Sequence, residues 1–386
     1  MNEHARTVIL IVTLVLIAGA ISFLQSGKAE PATAAPVVEV AGPEASSTAP
    51  LPSGTAERIA AKTKLYERAK EITTPDGFIN TDGKPVSLSD YVGKKVVLLD
   101  IWTYSCINCL RTLPYLNDWY KKYEDKGLVI IGLQTPEFDF EKNIDNVKAA
   151  VEKYGIKFPV VLDNDFSTWM AYRNLYWPRK YLIDIDGFIR YDHIGEGGYD
   201  ETEQQIQGLL KERADVLGEK VSLDMPLTKG AQEAPSGYES PETYFGSARN
   251  QYFGNGTPGM DMEKDFSAEG EVSLGKFYLN GRWSINSQYA ESAEEGASIV
   301  YPFVAGKVYL VASADSPARA LILVDDKPVG VLKGDDVEDV NGQGVVTVSG
   351  SRLYSIVSGV TGTTPHMLEI RALDKGLKAF TLTFGS

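Results

Sequence analysis

Two cysteines, Cys106 and Cys109, are the only ones among 386 residues, and two residues separate them. They follow the apolar run 95–102, which predicts a buried strand. The spacing allows the two sulfurs to bond to each other on a single helical turn. Because no third cysteine is available for a structural bridge, the pair indicates a redox dithiol that exchanges with other thiols and disulfides.

Composition excludes several other classes of protein. The formal net charge is -14, whereas a nucleic-acid partner needs a basic surface to neutralise its phosphates. Three histidines and two cysteines cannot form the usual four-ligand zinc site without distant residues. We therefore expect no nucleic acid, no metal and no cofactor other than the dithiol itself. The length favours two folded domains.

The first residues indicate a membrane anchor. After the short tail 1–6, residues 7–24 form an uncharged apolar run close to the length that crosses a bilayer. A cleaved signal peptide is the alternative, but its apolar core is usually about 7–15 residues long. We therefore predict a single transmembrane helix at 7–24. The Pro-, Ala- and Ser-rich segment 25–55 then predicts a disordered linker.

Residues 56–218 show alternating strand and helix patterns. The predicted elements are, in order, a helix over 56–72, a strand over 95–102, a helix over 106–125, a strand over 128–133, a helix over 143–154, a strand over 158–162, a short helix over 168–174, strands over 180–185 and 188–193 around the turn Asp186-Gly187, and a helix over 202–217. This order predicts an α/β domain with a mixed central sheet flanked by helices.

A second domain is expected at 240–386, after a linker over 219–239. Its short β-rich runs and turn residues favour an all-β sandwich or jelly roll. The predicted strands are 299–303, 307–312, 321–324, 345–348, 353–356, 367–372 and 380–384. Its many aromatic residues, such as Tyr244, Phe245, Phe253 and Trp283, fit a packed core better than a sugar-binding face, although aromatic rings also stack on sugars.

The positions around the dithiol suggest separate roles. Cys106 would lie at a helix N-terminus, where exposed N–H groups and the helix dipole stabilise a thiolate, so it would be the attacking nucleophile. Cys109, one turn further on and more buried, would resolve the mixed disulfide. Asp100 is a carboxylate in an apolar strand, and burial would raise its pKa and let it take the proton of Cys109. Alternatively, Asp100 only binds a backbone group or a lysine.

These residues resemble the thioredoxin active site. Asp100-Ile101-Trp102 followed by Cys106 and Cys109 is similar to its active-site strand and helix, and Pro114 matches the proline that kinks that helix. Trp177-Pro178 lies where thioredoxins have a cis-proline, which implies that both residues hold a substrate peptide. Trp102, Tyr104 and Trp177 would form an exposed aromatic rim for substrate, unless they pack in the core.

The resemblance is more specific to the TlpA/ResA family, and to the soluble C-terminal part of DipZ-type proteins. The motifs are Thr135-Pro136-Glu137-Phe138, Tyr176-Trp177-Pro178-Arg179 and His193-Ile194-Gly195-Glu196-Gly197. Residues 240–386 look like the carbohydrate-binding-module-like sandwich of DipZ-type proteins. Thr112 stands where many ResA-like proteins have a glutamate, so acid–base work would fall to Asp100, helped by Glu137.

The resemblance implies a membrane-anchored thiol–disulfide oxidoreductase facing the extracytoplasmic side, acting on protein disulfides and dithiols. Because DipZ-type proteins carry a multi-span electron-importing domain that this sequence lacks, a separate CcdA- or DsbD-like membrane donor would reduce it. Two alternatives remain: a glycan- or envelope-binding module with a thioredoxin-like spacer, and a thiol peroxidase, since Thr103 stands three residues before Cys106. The spacing does not reveal the direction of electron flow.

Overall fold

The computed structural model describes residues 54–223, 226–229, 240–360 and 364–385. The predicted anchor 7–24 and almost all of the predicted linker 25–55 lie outside these residues. Within the described ranges, no helix is both long enough and apolar enough to cross a bilayer.

The first domain is built on a mixed sheet of six strands in the order β1-β4-β3-β2-β5-β6. The strands are β1 Gly77–Ile79, β2 Val96–Trp102, β3 Leu128–Gln134, β4 Val160–Leu162, β5 Arg179–Ile183 and β6 Ile189–Ile194. β2, β3 and β4 are parallel, and the remaining pairs are antiparallel. The predicted mixed central sheet is therefore confirmed, although the sequence did not indicate β1.

Helices cover both faces of this sheet. The α-helices are α1 Thr55–Thr63, α2 Ile107–Tyr123, α3 Ile144–Lys153, α4 Ser167–Ala171 and α5 Tyr199–Leu217, and short 3-10 turns lie at Leu88–Asp90, Glu124–Lys126 and Asp139–Lys142. All seven residues of β2 are buried, so alternate side chains enter two different cores. Val96, Leu98 and Trp102 join the core that contains α2. Asp100, in the same alternation, therefore points to the α2 side.

The prediction of a helix over 56–72 is wrong in its second half, since α1 ends at Thr63. Beyond it the backbone runs alongside the β5–β6 hairpin. The N–H of Ala69 donates to the carbonyl of Gly187 at 3.0 Å, and the N–H of Ile189 donates to that of Glu67 at 2.9 Å. Pairing with the rest of the fold thus overrides the local helical pattern of this segment.

The second domain is an antiparallel sheet of thirteen strands. The strands are β7 Thr243–Tyr244, β8 Met262–Phe266, β9 Tyr278–Ile285, β10 Ala290–Ser292, β11 Ser298–Phe303, β12 Lys307–Ser313, β13 Ala318–Val324, β14 Lys327–Pro328, β15 Val337–Val340, β16 Gln343–Val348, β17 Arg352–Ser358, β18 His366–Ala372 and β19 Lys378–Gly385, with a 3-10 turn at Gly330–Leu332. The seven strands predicted from sequence are confirmed, but six others were not predicted, namely β7, β8, β9, β10, β14 and β15.

One hydrophobic core fills this domain. β9 pairs with β11 in one half of the sheet and with β8 and β10 in the other, so the two halves enclose a shared interior. Phe245, Phe253 and Trp283 are buried in it, which confirms the prediction that these aromatic residues form core.

A smaller apolar cluster joins the two domains. Phe138 and Phe140 of the first domain pack edge-on against Phe380 of the second, with ring centroids 5.0 and 4.9 Å apart. Ile107 and Leu110, on the first turn of α2, pack against the same cluster. The second domain therefore rests beside the helix that carries the two cysteines.

Candidate active site

Cys106 occupies the N-cap position of α2. Its backbone is extended, and its sulfur accepts the N–H of Cys109 at 3.2 Å. The two cysteines are not bonded to each other. Cys106 is half-buried, whereas Cys109 is 1% exposed. A sulfur at a helix N-terminus that already accepts a backbone N–H is well placed to carry negative charge.

Cys109 lies in a setting that keeps its thiol protonated. Burial raises the pKa of Cys109 well above its usual range, and the neighbouring Cys106 sulfur and the Asp100 carboxyl add to this effect. The backbone of Thr103 opposes the shift by hydrogen bonding to the sulfur. Cys109 therefore needs a base before it can act as a nucleophile.

Asp100 is 1% exposed, and its Oδ1 has no hydrogen-bond partner among the described residues. Burial raises the pKa of Asp100 to about 7, and the positive charge of Lys180 acts in the opposite direction. A carboxyl group with this pKa changes protonation near neutral pH, as a proton acceptor for a thiol requires.

Lys180 is a buried cation that the sequence did not reveal. It pairs with Asp100 across the β2–β5 ladder, and its ammonium donates to the carbonyl of Gly195 at 3.0 Å. Burial lowers the pKa of Lys180, while Asp100 and Cys109 act to raise it. Only the register of two distant strands brings these groups together, and a single sequence carries no signal for that register.

A cleft of about 380 Å³ opens over Cys106, and both domains line it. The lining includes Cys106, Glu137 and Trp177 from the first domain and Glu242, Tyr244 and Arg249 from the second. The dithiol therefore does not lie on an open surface, because the second domain supplies one wall.

Trp177-Pro178 is a cis peptide, as the resemblance implied. The Trp177 indole N–H donates to the Thr135 carbonyl at 2.9 Å, and its ring lies 4.1 Å from that of Trp169. Trp177 lines the cleft. Pro178 is buried, and its carbonyl accepts the N–H of Gly195 at 2.8 Å. Of these two residues, Trp177 is the one placed to contact a ligand in the cleft.

The prediction that Trp102 and Tyr104 form an exposed rim is wrong. They are only 1% and 4% exposed and belong to the core beside α2. Trp102 packs over Gly132, where a Cβ atom would lie only 2.9 Å from its indole nitrogen. The Tyr104 hydroxyl donates to the carbonyl of Phe140 at 3.3 Å. Both aromatic rings are therefore part of the core on which the site rests and are not exposed to substrate.

Glu137, predicted as an acid–base helper, lies in the cleft but is bound to the second domain. Its Oε1 accepts the guanidinium of Arg249 at 2.6 Å and the hydroxyl of Tyr244 at 2.7 Å. The Arg249 guanidinium also stacks 3.7 Å from the centre of the Tyr244 ring. Glu137 is thus part of a polar contact between the domains at the edge of the cleft.

Glu141 is a second residue that the sequence analysis missed. It is fully buried, and its Oε1 accepts the hydroxyl of Ser105 at 2.6 Å and its backbone N–H at 3.3 Å. Its Oε2 accepts the backbone N–H groups of Glu137 at 2.5 Å and Phe138 at 3.0 Å. Glu141 therefore ties the residue before Cys106 to the segment that contacts the second domain.

Comparison with known proteins covers both domains. Residues 65–192 match the family model "AhpC/TSA family", and residues 240–385 match "Thioredoxin like C-terminal domain". Protein DipZ of Mycobacterium tuberculosis is 36% identical over 321 residues, which is 81% of this chain but 43% of DipZ. Thiol-disulfide oxidoreductase ResA of Bacillus anthracis is 38% identical over 136 residues, which is 35% of this chain and 73% of ResA.

Among solved structures, the thioredoxin domain of a thiol-disulfide oxidoreductase from Bacteroides vulgatus is 28% identical. The match covers 36% of this chain and 96% of that one, with a TM-score of 0.31.

The mixed sheet, the cysteine at the N-cap of α2 and the second, buried cysteine one turn further on define a thioredoxin-like thiol–disulfide oxidoreductase, in agreement with the relatives. Within that class, the chain belongs to the ResA family, as its motifs indicated. Its likeness to DipZ extends across both domains, although the chain spans less than half the length of DipZ.

Proposed function

We propose that this chain reduces protein disulfides at the extracytoplasmic face of a membrane, with Cys106 as the nucleophile and Cys109 as the resolving thiol. One observation carries the proposal. The half-buried Cys106 sulfur lines a cleft at the N-terminus of α2, while Cys109 and the Asp100 carboxyl are both buried. This arrangement separates an accessible attacking sulfur from a protected resolving sulfur.

The reaction transfers two electrons. The Cys106 thiolate attacks one sulfur of a substrate disulfide and forms a mixed disulfide, and the other substrate sulfur leaves as a thiolate that takes a proton from water. Cys109 then loses its proton and attacks the Cys106 sulfur. The second substrate thiol is released, and the enzyme is left with a Cys106–Cys109 disulfide.

Asp100 acts in the second half of this cycle. Burial gives Cys109 a high pKa, so its attack requires a nearby base. The Asp100 carboxyl has a pKa of about 7, and its Oδ1 makes no competing hydrogen bond in the described part of the chain. We therefore assign Asp100 as the base that accepts the proton of Cys109. Lys180 supports this role, because its positive charge favours the ionised carboxylate.

A separate donor completes the cycle. The Cys106–Cys109 disulfide is the only redox group that the mechanism needs, and a membrane dithiol protein of the CcdA or DsbD kind would return two electrons to it. The apolar segment 7–24 and the Pro-rich segment 25–55 would tether the enzyme near such a donor.

Reduction of insulin tests the proposal directly. Wild type should reduce insulin with dithiothreitol as donor, Cys106→Ser should be inactive, and Cys109→Ser should accumulate a mixed disulfide. Equal activity of wild type and Cys106→Ser would refute the mechanism. The reduction potential decides the direction, since a value near or below about -250 mV indicates a reductase and one near about -120 mV an oxidase.

A further inference from the structure

The cleft contains two carboxyl groups and one guanidinium group, so one of the two carboxyl groups has no cation of its own. Glu137 and Arg249 line the cleft together and form an ion pair of 2.6 Å. Glu242 lines the same cleft and hydrogen-bonds with Tyr244, but Arg249, the cation of the cleft, forms its ion pair with Glu137. The cleft therefore offers a ligand one carboxyl group that has no ion-pair partner among the described residues, and the second domain supplies it.

The surroundings of Glu242 favour an incoming cation. The Glu242 side chain is exposed to solvent inside the cleft. The surrounding protein still desolvates its carboxyl group, and this desolvation together with the negative charge of Glu137 raises the pKa of Glu242 to about 7. The hydrogen bond with Tyr244 and the positive charge of Arg249, whose guanidinium is bound to Glu137, lower the pKa again only in part. A cation of the substrate beside this carboxyl would relieve an unfavourable local charge.

The shape of the cleft limits what can enter. At about 380 Å³ it lies near the lower end of the range of about 300–1,000 Å³ for small-ligand sites, so it accepts a short segment rather than a folded surface. The first domain contributes an apolar part of the lining, formed by Leu175, Tyr176 and Trp177. Leu175 and Tyr176 are 73% and 47% exposed, which leaves them free to contact a peptide.

We propose that the wall of the cleft formed by the second domain determines substrate specificity. In this proposal Glu242 selects disulfides whose attacked cysteine lies on an extended segment next to a lysine or arginine. This inference rests on the proposed function, because the selected cysteine is the one that Cys106 attacks. Glu242 would contact the substrate without exchanging electrons or protons with it. The expected preference is about five- to tenfold in kcat/KM, the range of a partly desolvated ion pair.

Matched peptides test this selection. Three short peptides, each with one cysteine flanked on both sides by Lys, Gln or Glu, would be prepared as disulfide-linked homodimers. Their reduction by the pre-reduced full chain would be followed by thiol release, with each rate divided by the rate with dithiothreitol. That division removes the effect of flanking charge on the disulfide's own reactivity. Wild type should prefer Lys over Gln by about five- to tenfold, and Gln over Glu.

Glu242→Gln should abolish this preference, so that the Lys and Gln peptides are reduced at equal normalised rates. Glu338→Gln, which alters an exposed carboxylate on β15, should retain the preference. An unchanged preference in Glu242→Gln, or equal normalised rates of wild type with all three peptides, would overturn the inference and leave the proposed function intact. If cystamine, a small cationic disulfide, showed the same Glu242 dependence and a rate equal to that of the Lys peptide, the peptide part would be wrong. Failure of wild type to reduce any of them would instead contradict the proposed function.

Discussion

Asp100 and Lys180 lie directly opposite each other in the ladder between β2 and β5, and both are buried near Cys109. Lys180 donates to the carbonyl of Gly195, and Asp100 Oδ1 has no hydrogen-bond partner in the described structure. A buried carboxyl oxygen without a hydrogen-bond partner is unfavourable for folding, and ionisable groups with shifted pKa values concentrate at functional sites. The pair therefore fits the proposed proton transfer at the dithiol better than a role in the stability of the sheet.

Asp100→Asn should slow resolution of the mixed disulfide by about 100-fold, because an amide cannot accept the proton of Cys109. Attack by Cys106 should change little. The wild-type rate of resolution should rise as pH increases through about 7, where Asp100 ionises, and the variant should lack this rise. Acid quenching followed by mass spectrometry of the mixed disulfide, from pH 6 to 9, measures both rates.

Asp125→Asn, at an exposed site on the 3-10 turn after α2, is the control and should match wild type. If the mixed disulfide of Asp100→Asn had a wild-type lifetime at every pH, Asp100 would not be the base.

The same carboxyl should make stability depend on pH. The pKa of Asp100 rises from 3.8 to about 7 on folding, so the folded protein holds this proton more tightly. Its contribution to stability is complete below about pH 4 and is lost as pH rises through about 7. The stability advantage of Asp100→Asn over wild type should therefore be about 3 kcal/mol larger at pH 8 than at pH 5. Urea unfolding at both pH values measures this, and comparing the two differences cancels any constant packing cost of the amide. Equal differences at the two pH values would contradict the assigned shift.

Local patterns in the sequence were sufficient to predict the secondary structure at the centre of the first domain. Strand β2, helix α2 and the place of Cys106 at the helix start follow from an apolar run, its length and the cysteine spacing. The turn at Asp186-Gly187 was equally visible, since this pair strongly favours a hairpin. In each case the determining interactions lie within a few residues of one another.

Contacts between distant segments could not be predicted. The burial of Trp102 and Tyr104 depends on the α3 and β3 sides of the core, and the pairing of Asp100 with Lys180 depends on strand register. Predicting the second wall of the cleft requires knowledge of how the two domains pack against each other. Neither composition nor residue spacing specifies that packing. Glu242 and Arg249 therefore had no sequence signal connecting them to a dithiol more than 130 residues earlier.

Glu141→Gln should impair both stability and rate. The carboxylate accepts N–H and O–H groups from Ser105, Glu137 and Phe138, and an amide would place its own N–H₂ group against some of these donors. We expect a loss of about 1–3 kcal/mol in the free energy of unfolding. We also expect a fall of about tenfold in kcat/KM, since the loop before Cys106 loses its support. Urea titration and insulin reduction provide the two measurements.

Glu152→Gln, an exposed substitution on α3, is the matched control and should change neither quantity. A Glu141→Gln protein with unchanged kcat/KM would show that the loop does not need this anchor.

Lys62→Met should destabilise the first domain without altering the dithiol. The Lys62 ammonium is buried among the carboxylates of Asp184, Asp186 and Glu212, at 2.6 Å from each of the two aspartates. Removing it leaves these three carboxylates with only the guanidinium groups of Arg58 and Arg190, so one negative charge is uncompensated, at a cost of about 3–5 kcal/mol. Lys64→Met, two residues further on and exposed, should cost less than about 0.5 kcal/mol. Urea unfolding compares them, and native-state insulin reduction should be equal in both. A Lys62→Met protein as stable as Lys64→Met would show that the cluster contributes nothing.

Phe380→Ala should loosen the contact between the domains. Phe380 is 4% exposed and packs against Phe138 and Phe140, so truncation should cost about 3–5 kcal/mol of stability. Phe303→Ala, in the second domain's own core, should cost a similar amount and serves as the control. Only Phe380→Ala should increase amide hydrogen exchange at 137–142 under native conditions, because only there is the ring part of the domain contact. It should also raise the rate with folded insulin relative to a short peptide disulfide, since the cleft wall moves more freely. Equal exchange and equal substrate ratios in the two variants would mean that this aromatic contact does not hold the wall in place.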